Sequence, residues 1–133
     1  MRAKERLEQL ERLIDEAKTL NLTLPFIVEG ERDEIALREL GFSGEIVVIN
    51  RGVSLLQICE EISVEHSEAV ILTDWDSRGG KLAHLLREKL LATDVKSNNY
   101  IRARFSKLCK KEIKDVESLP NYLERLREQV LRK

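Results

Sequence analysis

Residues 27–37 read IVEGERDEIAL, and residues 71–83 read ILTDWDSRGGKLA. Each stretch opens on a short apolar run, turns at an acidic residue beside glycine, and continues with the three- and four-residue spacing of a helix. The first helix covers residues 31–40 and stops at Gly41, where a residue without a side chain can end it. The second runs from about Gly80 to Leu91. Between them, EIVVIN (Glu45 to Asn50) is another apolar run, punctuated by Gly52 and followed by a helix through Ile62 that Ser54 is placed to cap. The three runs, LPFIVEG ending at Gly30, EIVVIN and AVILT at 69–73, are continuously apolar and do not alternate. Strands covered on both faces look like this, so the pattern predicts an α/β fold with a mainly parallel central sheet between two helical layers. The crossovers in such a sheet are right-handed.

Working outward, Leu7, Leu10, Leu13, Ile14, Ala17 and Leu20 recur at helical spacing over residues 3–20, and Asn21 to Pro25 breaks that helix. Toward the other end, Asp94 to Ser97 reads as a fourth strand and residues 100–113 as a helix rich in Arg and Lys. Ser118 is placed to cap a last helix, Leu119 to Leu131, with Leu119, Tyr122, Leu123, Leu126 and Val130 on one face. The chain has 133 residues and no repeat, low-complexity tract or dividing linker. It is expected to form one domain over 1–133: an N-terminal helix in 1–22, a core over 24–115 and a C-terminal helix in 116–133. That length buries a core without disulfides or a structural metal. The outer helices can pack on the sheet or pair with a second chain, so a homodimer is left open.

Apolar residues make up 42% and charged residues 35%, a balance that excludes a disordered chain. No stretch approaches the roughly 18 apolar residues of a membrane span, and the charged start MRAKERLEQLERL is unlike a secretory signal. The two cysteines, Cys59 and Cys109, lie far apart and outside any CxxC, which argues against a disulfide framework or a zinc knuckle and for a reducing, cytoplasmic setting. The net charge of −1 conceals an asymmetry: 8 Lys/Arg against 17 Asp/Glu in residues 1–76 give −9, and 15 against 7 in residues 77–133 give +8. Chance segregation that folding mixes together is the simpler explanation; an acidic cation site beside a basic anion-binding surface is the alternative.

Ligands of doubly wound parallel sheets bind outside the carboxyl ends of the strands. Glu29 ends the first strand, Asp74 and Asp76 end the third, and Asp33 stands one helical turn beyond Glu29. If those strands are neighbours, the acids converge. Clustered carboxylates repel, and a divalent cation with hard oxygen ligands, Mg²⁺ or Mn²⁺, removes that cost. Each acid alone is better explained as a helix cap; Glu29, Asp74 and Asp76 together favour a metal site. Gly30, Gly79 and Gly80 beside them allow sharp turns and close approach of a phosphate to helix amides.

These residues also carry a resemblance. IVEGERDEIAL resembles the first motif of the Toprim domain family, and ILTDWDSRGGKLA resembles the second, Asp-x-Asp-x-x-Gly followed by a helix. INRGVSLLQI (49–58) resembles the polar, glycine-containing loop between them. The likeness spans roughly residues 24–115, with two motifs in the right order. Among Toprim proteins the chain resembles most the small stand-alone ones of archaea, and more distantly the bacterial nuclease that trims ribosomal RNA. The resemblance implies a Rossmann-type three-layer sandwich of about four strands. It also implies Glu29 as general acid/base or metal ligand, and Asp74 and Asp76 as ligands of one or two Mg²⁺ ions. Glu31 departs from the family pattern, standing where the trimming nuclease often has Lys.

Arg102, Arg104, Lys107, Lys110 and Lys111 crowd one basic segment, which serves equally as a nucleic-acid patch or a solvated helix face. Arg51, Arg78 and Lys81 are further candidate phosphate contacts, each with a surface role as the simpler account. Trp75 is expected to pack on the sheet more readily than to stack a base, His66 and His84 to be structural, and the cysteines to be core residues. The function expected is that of a Mg²⁺-dependent enzyme acting on phosphodiester bonds in RNA or DNA, a nuclease or processing factor. The alternative is a non-catalytic Toprim module that binds nucleic acid with a partner protein. A phosphorelay receiver has similar length, but its acidic pair should end the first strand and not the third.

Overall fold

The computed structural model describes residues 1–132. Lys133, the end of the expected C-terminal segment, lies outside the described residues. The order is α1 (Ala3–Asn21), β1 (Phe26–Val28), α2 (Glu31–Glu39), β2 (Ile46–Val48), α3 (Leu55–Glu65), β3 (Glu68–Ile71), α4 (Ser77–Ala92), β4 (Lys96–Asn98), α5 (Tyr100–Cys109) and α6 (Leu119–Leu131). The four strands form one parallel sheet in the order β2-β1-β3-β4. The α/β architecture expected from the apolar runs is therefore present.

Register explains the continuous apolar runs. Phe26 lies opposite Ile46 and Val70, and Ile27 opposite Val47 and Ile71. Side chains alternate along each strand, so Phe26, Val28, Val70 and Leu72 enter the core shared with α1, α5 and α6, and Ile27, Ala69 and Ile71 enter the one shared with α3 and α4. Both faces are apolar because both are covered. The edges differ: β2 is only half-buried, and β4, Lys-Ser-Asn, is polar, because each lacks a neighbour on one side.

The outer helices are part of the core. Leu10, Leu13, Ile14 and Ala17 of α1 are buried, as are Leu119, Leu123 and Leu126 of α6, so their apolar stripes are satisfied within the chain. Asn21 closes α1. Its amide donates to the carbonyls of Leu24 (3.2 Å) and Glu45 (2.9 Å) and accepts from the Gly44 N–H (2.8 Å). Gly44 must be glycine there, since a Cβ would lie 1.7 Å from the Asn21 carbonyl oxygen.

Several boundaries differ from expectation, among them the fourth strand, which is Lys96–Asn98 and not Asp94 to Ser97, because Asp94 takes the left-handed turn (φ 61°) that follows α4. The fourth helix starts at Ser77, not near Gly80, because Asp76 caps it through the Gly79 N–H (2.6 Å). The fifth ends at Cys109, not at 113. Ser118 precedes α6, but its hydroxyl makes no cap bond; its N–H is instead taken by Asp115 Oδ1 (2.8 Å). Gly41, at φ 98°, terminates α2 as expected.

Asn21→Ala removes the partner of the half-buried Gly44 N–H and is expected to cost about 1 kcal/mol, the low end of the range for an orphaned donor. Urea unfolding should show a lower midpoint with an unchanged slope.

Candidate metal centre

Glu29 extends from the end of β1, and the loop after β3 presents Asp74. Because β1 and β3 are hydrogen-bonded neighbours, the two meet: the Asp74 N–H donates to Glu29 Oε2 at 2.9 Å. Glu29 Oε1 pairs with Arg78 Nη2 at 2.7 Å. Asp74 Oδ1 accepts from the Val116 N–H at 3.0 Å. Asp33, one turn into α2, is buried and reaches back to the Gly30 N–H (2.9 Å), so it caps its own helix while facing Glu29.

Around these groups lies a cleft of about 780 Å³, lined by carboxylates of Glu29, Glu31, Asp33, Asp74 and Glu117, by Arg32 and Arg78, and by Asn50. Arg32 is drawn to Glu117 (3.6 Å), which leaves Arg78 as the cation on the innermost acid. Burial pushes the Asp74 carboxyl up from 3.8 to about 7; the Val116 N–H works against this, and Glu29, Asp33 and Asp115 add to it. Burial also raises Asp33, opposed by the Gly30 N–H and reinforced by Glu29, Glu117 and Asp115. Hard oxygen donors, crowded and short of positive charge, are a donor set that suits Mg²⁺ or Mn²⁺.

The loop 73–80 is held from three sides. A Cβ at residue 79 would lie 1.9 Å from the Asp74 carbonyl oxygen, so only glycine permits the turn. Gly30 and Gly80 are not so constrained, their added Cβ meeting nothing closer than 3.9 and 3.6 Å. Thr73 Oγ1 donates to the Gly79 carbonyl (2.8 Å). Arg102 Nη2 and Nε donate to the Asp74 carbonyl (2.8 and 3.2 Å), and Nε also to that of Thr73 (3.2 Å). Trp75 is buried as expected: its ring stacks on Phe105 (5.9 Å, 11°), and its indole N–H donates to the Ile113 carbonyl (2.8 Å).

The named candidates thus separate. Glu29, Gly30, Asp33, Asp74 and Arg78 line one cleft. Asp76 is not among its lining residues; its Oδ1 is occupied by the Gly79 N–H. Lys81 is exposed on α4. Arg51 is turned toward β2 and α3, paired with Glu61, whose carboxyl it pulls below the usual range. Arg104, Lys107, Lys110 and Lys111 line a separate basic cleft. Glu117 and the Val116 amide escaped the sequence reading because a turn after α5 brings them to the site, and no local spacing encodes that return. His66 was expected to be structural; its Nε2 lies 2.8 Å from Glu45 Oε1, and with Glu65 these side chains offer three ligand atoms within 4.8 Å at the start of β2.

A model of the Toprim domain matches residues 25–108. The chain is similar to a UPF0292 protein of Methanosarcina acetivorans, 38% identical over 93% of this chain and 86% of the relative. It is also similar to a UPF0292 protein of Methanocaldococcus jannaschii, 34% identical over 92% of this chain and 96% of the relative. Among solved structures, a protein of Aquifex aeolicus superposes with a TM-score of 0.71 at 20% identity, covering 80% of this chain and 94% of that one, a likeness of fold.

The raised Asp74 carboxyl has a measurable sign. Between about pH 4 and 7 the folded chain keeps a proton that the unfolded chain has released, so without divalent ions stability falls as pH rises through that window. In EDTA the thermal midpoint should drop from pH 4.5 to 7.5, and Asp74→Asn should flatten the decline.

Proposed function

The chain belongs to the Toprim domain family, and from that membership we propose that it is a Mg²⁺- or Mn²⁺-dependent enzyme acting on phosphodiester bonds of RNA or DNA, a nuclease or nucleic-acid-processing factor. The observation that carries this reading is the 2.9 Å bond from the Asp74 N–H to Glu29, which joins the acids of the two motifs. Glu29 and Asp74 would hold one or two divalent ions, with Asp33 and Asp76 as nearby oxygen donors. An ion bound there supplies Lewis acidity, lowering the pKa of a coordinated water and offsetting charge on the phosphate. Glu29 would exchange the proton of the nucleophile or leaving oxygen. Arg78, once released from Glu29, would carry its charge to the scissile phosphate, since its side chain is 71% exposed and free to swing. Gly79 and Gly80 would let the backbone approach at the start of α4. Arg102, its guanidinium spent on two carbonyls, would position the Asp74 loop and not touch substrate. Lys81 would contact flanking phosphate. The free, buried thiols of Cys59 and Cys109 support placement in the cytoplasm. No helix among the described residues is long and apolar enough to cross a membrane.

A non-catalytic module that binds nucleic acid beside a partner protein is the second reading. It is favoured by the Arg78–Glu29 pair, which engages the very acid that chemistry requires. Cleavage of structured RNA and DNA with Mn²⁺ separates the two.

Glu29→Gln should lower cleavage by about 10²–10⁴-fold, the usual worth of a general acid or base; cleavage unchanged in that variant sinks the enzymatic reading. In calorimetry, Glu29→Gln and Asp74→Asn should abolish the heat of Mn²⁺ binding. Arg78→Ala should tighten Mn²⁺ severalfold, because the ion no longer competes with a guanidinium.

A further inference from the structure

The basic residues of α5 and the turn after it do not form a flat face. With Arg6 of α1 they enclose a cleft of about 490 Å³, lined by Arg104, Lys107, Lys110 and Lys111 and, among the described residues, by no carboxylate. Arg6 is fixed in the wall. Its side chain is 21% exposed, its guanidinium lies 3.5 Å from Glu112, and its Nε is buried without a hydrogen-bond partner among the described residues. Arg104 is stiffened over the Tyr100 ring, 5.5 Å from the centroid, and donates to the Tyr100 hydroxyl. Lys107, Lys110 and Lys111 enter no ion pair among the described residues. Like charges held this close repel, and a polyanion relieves them while releasing counterions.

Position narrows the ligand. From Arg104 to Cys109 the helix advances about 7.5 Å at about 1.5 Å per residue, and Lys110 and Lys111 in the turn continue the row, so the cations are spread along a wall and suit an extended polyanion more than a single phosphate. Glu112, which holds Arg6, begins the turn whose Ile113 and Lys114 carbonyls take the two N–H groups of Trp75 and whose Val116 amide takes Asp74. One turn of the chain thus links the wall of the cleft, at Glu112, to the acidic site, at Asp74. We propose that the cleft is a second phosphate-binding site, one that grips the backbone of a nucleic-acid strand away from the bond at the carboxylates and without any metal. The choice of nucleic acid as the polyanion rests on the function proposed above; the cleft's affinity for phosphate does not.

The test is fluorescence anisotropy with labelled 20-nucleotide RNA and DNA strands in EDTA, over a range of salt, using the full chain. Lys107→Glu with Lys111→Glu should weaken binding at least tenfold and reduce the slope of log affinity against log salt by about 1.4, or about 0.7 per lost single-strand contact. Lys107→Arg with Lys111→Arg should restore both, and the charge-matched control Arg87→Glu with Lys96→Glu, exposed residues that line neither cleft, should leave the slope unchanged. Superimposed salt slopes, equal weakening in the arginine variant, or binding confined to phosphatidylserine vesicles overturns the proposal. Calorimetry with Mn²⁺ keeps the two readings apart: no heat with EDTA-resistant strand binding intact removes the metal reading alone, and heat without such binding removes the cleft alone.

Discussion

The peptide N–H of Asp74 donating into the Glu29 carboxylate is the bond on which the acidic end of the sheet depends. It exists because β1 and β3 are parallel neighbours in register, so both strands deliver their last residues to one rim. Everything around it manages the repulsion that this meeting creates. Arg78 lies on Glu29, the Val116 amide on Asp74, and the Gly30 amide on Asp33. Each relieves part of the charge, and Asp74 still ionises reluctantly. Carboxylates buried and crowded in this way cost the fold stability, and perturbed groups of this kind cluster at functional sites.

The separation of charge along the chain acquires a spatial counterpart at this rim. The carboxylates of the acidic cleft come largely from residues 29–33 and 74, whereas the cations of the basic cleft come largely from residues 104–111. Exceptions cross over in both directions: Glu117 joins the acids and Arg6 joins the bases. Ion pairs such as Arg78–Glu29 and Arg127–Glu11 join the two halves of the chain as well, so folding keeps the charges apart at these two clefts and mixes them elsewhere.

What could be read from the residues was what local physics encodes. A buried parallel strand needs an unbroken apolar run, and the turn after it tolerates acid and glycine, so Glu29, Asp74 and the sheet were legible together. Gly41 was legible as a helix stop for the same reason. Asp76 was legible both as an acid at the rim and as a helix cap, and spacing could not choose, because capping and ligand roles favour the same residue. Arg51 was read as a candidate phosphate contact and Arg102 as part of the basic segment; their partners, Glu61 and the carbonyls of residues 73 and 74, come from distant segments. Arg6, Val116 and Glu117 carried no local signal. His66 looked isolated because Glu45, its partner, is brought to it by the pairing of β2 with β1 and the return of α3.

The bond from Val116 to Asp74 bears on how far the shared unit of the family extends. The family match stops at residue 108, yet the amide that steadies the second-motif aspartate comes from beyond it, as does the helix that closes the core above Phe105. The recurrent part is thus not self-sufficient in this chain. Trimming the protein to its family signature would bare an oily flank and let go of the aspartate in one stroke.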